Sequence, residues 1–181
     1  PPPGAGRARQ QLVIRAVTAR TLALQKMSHD ATHDPLTGLA NRREFERRAA
    51  QAIDDARLQA GRHVLCFMDL DKFKEVNDHA GHAAGDTLLR QVADLLKSRV
   101  RAADLAARLG GDEFGLLLEN CTIERATSIL HTIIDGVEGL RFSAAGRQFR
   151  IGVSAGMLEF TADGPSLDQA LRLVDQACYD A

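Results

Sequence analysis

The sequence predicts an α/β fold of the α+β kind, a mixed central sheet flanked by helices. Three observations lead there. The run Val64-Leu65-Cys66-Phe67-Met68 has no polar face, so a strand there is buried on both sides and lies centrally under helices. Two strand-like runs flank Gly110-Gly111, a β-hairpin signal, because a tight turn needs positive φ and glycine adopts it freely. Helical and strand-like segments succeed one another along the chain, the pattern of a sheet with helices packed on it.

The elements follow in order. Pro1-Pro2-Pro3-Gly4 cannot be helical and reads as a linker, and Arg7 to Asp30 reads as a weak, Ala-rich amphipathic helix. That helix either joins a partner as a short coiled coil or folds back on its own domain. Asp34-Pro-Leu-Thr-Gly-Leu39 is a turn-rich joint, after which Asn41 caps a helix to about Ala60 that Gly61 stops. A strand from His63 to Leu70 comes next, then a short helix from Lys72 to His79, punctuated by Gly81. Asp86 to Val100 is a strong amphipathic helix through Leu88, Leu89, Val92, Leu95 and Leu96. The hairpin around Gly110-Gly111 precedes a helix over 122–138. Arg147 to Phe160 alternates as one strand, and a last helix starts at Ser166. The division is a linker and signalling helix over 1–30 and one domain over 31–181.

Composition removes several classes. The chain has 181 residues, 45% apolar and 26% charged, which is too apolar for disorder and long enough for a full core. A net charge of −1, from 23 Lys+Arg against 24 Asp+Glu, argues against DNA or RNA binding by bulk electrostatics but leaves a local nucleotide site open. No run approaches a membrane span and no signal-peptide pattern opens the chain, so a cytoplasmic domain is expected, although its parent could be anchored through other domains. Cys66, Cys121 and Cys178 are odd in number and widely spaced, and read as buried reduced thiols.

The acids carry the chemistry. Asp69 directly follows five apolar strand residues, at a strand's carboxyl end, where α/β folds bind ligands. Asp71 lies two residues on, and Asp112 and Glu113 open the hairpin's second strand. If those strands are neighbours, several carboxylates converge, which is costly unless a cation neutralises them. All-oxygen donors without His or Cys suit Mg²⁺ or Mn²⁺, and Mg²⁺ shares its shell with substrate phosphates. Any one acid near a turn is most often merely solvated or a helix cap; the set on a Gly-Gly hairpin is not well explained that way.

Gly110-Gly111-Asp112-Glu113-Phe114 resembles the signature of the GGDEF family, the diguanylate cyclases. Four further blocks carry the resemblance: Asp34-Pro-Leu-Thr-Gly-Leu-Ala-Asn41-Arg42; Asp69 through Asn77-Asp78; Gly81-His82-Ala-Ala-Gly85-Asp86; and Val153-Ser-Ala-Gly156 with Asp175 through Tyr179. The resemblance implies a fold similar to the nucleotide cyclase catalytic core and the polymerase palm. It implies condensation of two GTP into cyclic di-GMP with release of pyrophosphate, each GTP held by one domain of a homodimer. Metal ligands would be Asp69, the Leu70 carbonyl, Asp112 and Glu113, with Asp112 and Glu113 catalytic. Substrate would meet Phe73, Lys74, Asn77, His82, Asp86, Gly110 and Gly111, with Asn77 and Asp86 reading guanine and Lys74 the terminal phosphates.

Each of these residues has a plainer role available: Asn77 as a helix end, His82 as a turn residue, Phe73 as core, Lys74 as a solvated charge. Asp34 and Arg42 resemble positions that are structural. Arg101-Ala-Ala-Asp104 resembles the family's RxxD inhibitory site for cyclic di-GMP, although a salt bridge explains the pair equally well. The resemblance departs at the end, where family members continue with a phosphate-approaching lysine and this chain closes on Tyr179-Asp180-Ala181. A piece of a larger bacterial second-messenger protein, concerned with biofilm and carrying flanking sensor or EAL domains, is therefore expected. The competing expectation is a catalytically weak GTP-binding module that controls an attached EAL phosphodiesterase domain.

Overall fold

A computed structural model describes residues 31–59 and 61–179. The linker and signalling helix expected over 1–30 lie outside the described residues. Chain order is β1 (Ala40–Asn41), α1 (Arg42–Gln59), β2 (His63–Asp71), α2 (Phe73–Ala80), α3 (His82–Arg99), β3 (Leu105–Gly110), β4 (Glu113–Leu118), α4 (Ile123–Glu138), β5 (Phe142–Ala144), β6 (Arg147–Phe149), β7 (Gly152–Phe160) and α5 (Leu167–Tyr179).

The main sheet has the order β1-β3-β4-β2-β7, with β1 parallel to β3 and every other pair antiparallel. β2 has a strand on either side, as its uniformly apolar run requires. Its side chains alternate between two cores. Val64, Cys66, Met68 and Leu70 meet α2, α3 and α4 through residues such as Val76, Leu88, Leu89 and Ile133. Leu65 and Phe67 meet α1 and α5 through Phe45, Ile53, Ala170 and Val174. Helices thus cover both faces, and burial of these apolar surfaces is the main stabilising term. Asp69 and Asp71 continue the odd-numbered set, so the acids emerge on the α1/α5 face.

Local signals place the helix ends. Asn41 Oδ1 accepts the Glu44 amide at 3.0 Å, capping α1 as expected. Ser166 and Gln169 form a reciprocal capping pair before α5: the Ser166 amide donates to Gln169 Oε1 at 3.1 Å and the Gln169 amide to Ser166 Oγ at 3.4 Å. Among the described residues no helix is long and apolar enough to cross a membrane.

Four expectations need correction. α3 begins at His82, four residues before Asp86, because Gly81 ends α2 and opens α3 together: its amide donates to the Asn77 carbonyl at 2.9 Å and its carbonyl accepts from Ala84 at 3.0 Å. His82 is therefore helical and not a turn residue. α2 starts at Phe73, with Lys72 left-handed at φ 64° just before it. The single strand over Arg147–Phe160 is two: β6 pairs only with β5 in a separate hairpin, and β7 starts at Gly152. Phe149 and Ile151 are both buried across the break, so the alternation passes through it unmarked. The three cysteines are free, but Cys178 is half-buried rather than buried.

Candidate active site

Register places the acids. Asp69 stands directly opposite Glu113 on β4 and opposite Ser154 on β7, so the three share one face at one end of the sheet. β2 runs two residues past its last pair with β4, leaving Leu70 and Asp71 without a strand partner on that edge. Asp71 Oδ1 accepts the Ser154 hydroxyl at 2.9 Å. Burial pushes the Asp69 carboxyl above its ordinary range, and the Asp112, Glu113 and Asp71 carboxylates push it further.

The donor chemistry fits a hard divalent cation: hard oxygen donors, among them an Asp69 carboxylate whose charge its neighbours disfavour. The cage is not closed, however. Among the described residues no three His, Cys, Asp or Glu side chains already converge tightly enough to hold an ion. Glu113 is also engaged by an arginine. Arg42, the first residue of α1, donates through Nε to the Leu109 carbonyl at 2.9 Å and pairs with Glu113 Oε2 at 2.9 Å. Arg42, Asp69, Glu113, Ser154, Asp175 and Cys178 line a cleft of about 580 Å³ between the end of the sheet and α5. Sequence reasoning left Arg42 structural and did not place Ser154, Asp175 or Cys178 in the site.

The turn between β3 and β4 holds Asp112. Gly111 is left-handed at φ 51°, and a Cβ on Gly110 or Gly111 would meet nothing within 4 Å, so a ligand has open access to this backbone. A second arginine fixes the turn from the other side. Arg108 donates to the Gly111 carbonyl through Nε at 3.0 Å and Nη2 at 2.8 Å, while its Nη1 reaches both Asp34 oxygens at 3.2–3.3 Å. Asp34 in turn accepts the Thr37 hydroxyl at 2.7 Å and amide at 2.9 Å.

The residues expected to meet guanine gather elsewhere. Asn77 on α2 packs against Gly85 on α3: a Cβ on Gly85 would stand 2.1 Å from Asn77 Oδ1 and 3.1 Å from Phe73 Cζ. Asn77 Oδ1 is buried and accepts no hydrogen bond among the described residues. Asp86 is half-buried one residue on, whereas Lys74 and His82 are exposed. None of these residues lines the cleft with Asp69. α2 and α3 pack on the opposite face of the sheet, so a ligand touching both groups must lie across the end of β2.

Arg101 and Asp104 close on each other. Arg101 Nε and Nη2 each reach an Asp104 oxygen at 3.1 Å, the Arg101 amide adds a third bond at 3.0 Å, and Asp104 also accepts the Glu119 amide at 3.3 Å. The Asp104 carboxylate is fully buried while Arg101 stays 46% exposed.

Residues 31–181 match the family described as diguanylate cyclase, GGDEF domain. The chain is 45% identical over 168 residues to the probable diguanylate cyclase DgcE of Escherichia coli strain K12, covering 93% of this chain and 15% of that protein. It is 37% identical over 164 residues to the bifunctional diguanylate cyclase/cyclic di-GMP phosphodiesterase MucR of Pseudomonas aeruginosa, covering 91% of this chain and 24% of that protein. The solved coiled coil and GGDEF domain of DgcB from Caulobacter crescentus, in complex with c-di-GMP, is similar with a TM-score of 0.86 and 28% identity, covering 96% of this chain and 92% of that one. The chain thus spans 15% to 24% of the length of these curated relatives. Matched by that family from residue 31 to residue 181, it belongs to the GGDEF diguanylate cyclase family.

Proposed function

We propose that this domain is a diguanylate cyclase that joins two GTP molecules into cyclic di-GMP and releases pyrophosphate. The observation that carries the reading is the register that sets Asp69 beside Glu113, next to the glycine turn presenting Asp112. Asp69, the Leu70 carbonyl, Asp112 and Glu113 would hold Mg²⁺ or Mn²⁺. Bound there, the ion would offset charge on the α-phosphate and lower the proton affinity of the attacking hydroxyl. The chain's own groups do the rest. Asn77 Oδ1 accepts from a guanine N–H, and the Asp86 carboxylate takes the neighbouring donors. Phe73 and His82 would flank the base, and Lys74 would meet the terminal phosphates. The bare Gly110-Gly111 backbone lets the phosphates come close, and Glu113 accepts the proton of the 3′-hydroxyl.

One domain holds one GTP, so the in-line attack needs two domains face to face, and the active species is a homodimer. Cyclic di-GMP would return to Arg101, whose exposed guanidinium offers a planar fork to phosphate or guanine while Asp104 orients it. Loss of end-product inhibition in Arg101→Ala is the expected result; unchanged inhibition refutes that role.

The decisive assay incubates the protein with GTP and Mg²⁺ and measures pyrophosphate and cyclic di-GMP. Asp69→Ala and Asp112→Ala should each lower turnover by roughly a hundredfold or more. Full activity in either variant means that the carboxylate assignment is wrong. A second reading, a weak GTP-binding module regulating an attached EAL phosphodiesterase domain, draws support from the alignment with bifunctional MucR along 91% of this chain. GTP binding without pyrophosphate release would favour it.

A further inference from the structure

The site has an internal cation of its own. Among the described residues, Arg42 is the only Lys or Arg lining the cleft, against the carboxylates of Asp69, Glu113 and Asp175. Its guanidinium holds Glu113 Oε2 at 2.9 Å with side chains 51% and 48% exposed. So exposed a pair contributes only about 0–1 kcal/mol to stability, and water screens it. It is easily exchanged. The Nε bond to the Leu109 carbonyl keeps the guanidinium beside the hairpin even when Glu113 lets go.

We propose that Arg42 is a resident counter-cation that competes with the divalent ion for Glu113 and surrenders it when a nucleotide's phosphates offer the guanidinium a new partner. The inference rests on the metal-dependent cyclase reading above and deepens it. The argument is electrostatic. A fixed positive charge on a ligand carboxylate opposes a divalent ion, both by repulsion and by occupying an oxygen that the ion would coordinate. A triphosphate brings negative charge to the same cleft and binds a guanidinium well. Ion and nucleotide therefore bind synergistically, each raising the other's affinity by the same factor. The bare ion binds weakly, so the site fills with metal chiefly together with nucleotide.

The experiment is a Mn²⁺ titration followed by electron paramagnetic resonance of the free ion, with and without a non-hydrolysable GTP analogue. Wild type should bind Mn²⁺ weakly alone and more tightly with the analogue. Arg42→Gln should bind bare Mn²⁺ roughly five- to tenfold more tightly than wild type, from removal of one charge at contact distance, and lose a matching part of the nucleotide effect. Arg42→Lys, which keeps the charge, should resemble wild type with bare Mn²⁺. Bare Mn²⁺ affinity unchanged or weakened in Arg42→Gln, with Mn²⁺ binding otherwise intact, overturns the inference alone. No Mn²⁺ binding to any of the three proteins, with or without analogue, overturns the metal-dependent reading and this inference with it. A measurement on wild type guards against misfolding of the variant: the Arg42 Nε–H nuclear magnetic resonance signal should move on Mg²⁺ addition with the analogue present, and a signal that stays still refutes the exchange.

Discussion

Two arginines grip the same β-hairpin from opposite sides, and burial separates their roles. Arg108 and Asp34 are only 16% and 17% exposed, and Arg108 spends its remaining donors on the Gly111 carbonyl. Arg42 and Glu113 are about half exposed, with two bonds between Arg42 and the hairpin. The chemistry of the two ion pairs is the same. In the first, both charges are largely shielded from water, so the clamp is slow to exchange and braces the turn that carries Asp112. In the second, water and incoming ions compete at every moment, so the clamp is provisional. The site is built from one fixed and one exchangeable hold on a single turn. Solvent access decides which is which.

The largest effect expected from breaking this arrangement comes from Arg108. Arg108→Met leaves Asp34 partly buried without its guanidinium and the Gly111 carbonyl without its two donors, and should destabilise the domain by about 2–4 kcal/mol. The same change at Arg42 strips only a solvated pair and one carbonyl bond, and should cost less than about 1 kcal/mol. Urea denaturation of both variants checks the contrast. Equal losses would mean that burial does not separate the two clamps. Turnover should also fall in Arg108→Met in conditions where the protein is still folded, because the turn presenting Asp112 loses its brace.

Much of the framework is legible from local pattern, and the clamps are not. Val64–Met68 announces a strand buried on both faces, Gly110-Gly111 announces the hairpin, and Asn41 announces a helix start, because each signal lies within a few residues of what it specifies. Asp69 and Asp112 are legible as a pair only through the motif. Their proximity depends on the β2–β4 register, which the hydrophobic pattern supports but does not number. Arg42 and Glu113 are 71 residues apart, and Arg108 and Asp34 74 apart, so no local rule pairs them. β1 is two residues long and exists only because β3 lies beside it. The break at Arg150–Ile151 hides because burial keeps its period of two across it. Gly85 inside α3 looks like a helix breaker until Asn77 is seen packed against its bare Cα.

A smaller effect separates the clamps by pH. Burial tends to raise the Asp34 carboxyl, but the Thr37 hydroxyl and amide and the Arg108 guanidinium outweigh it, so its pKa in the folded protein lies below the ordinary 3.8. The unfolded chain therefore binds a proton at Asp34 more readily than the folded one. By linkage, the stabilisation is fully present above pH 3.8 and is lost as pH falls through the lowered folded value. Asp34→Asn, which cannot titrate, should lower stability near neutrality by about 1–2 kcal/mol and lose less than wild type between about pH 5 and about pH 3. The measurement is the free energy of urea unfolding across that range. Parallel curves for the two proteins would show that the Asp34–Arg108 pair is no tighter than a surface contact. The turn at Gly111 would then be held chiefly by the two Arg108 bonds to its carbonyl, and the Asp34 pair would be no different in kind from the provisional one at Arg42.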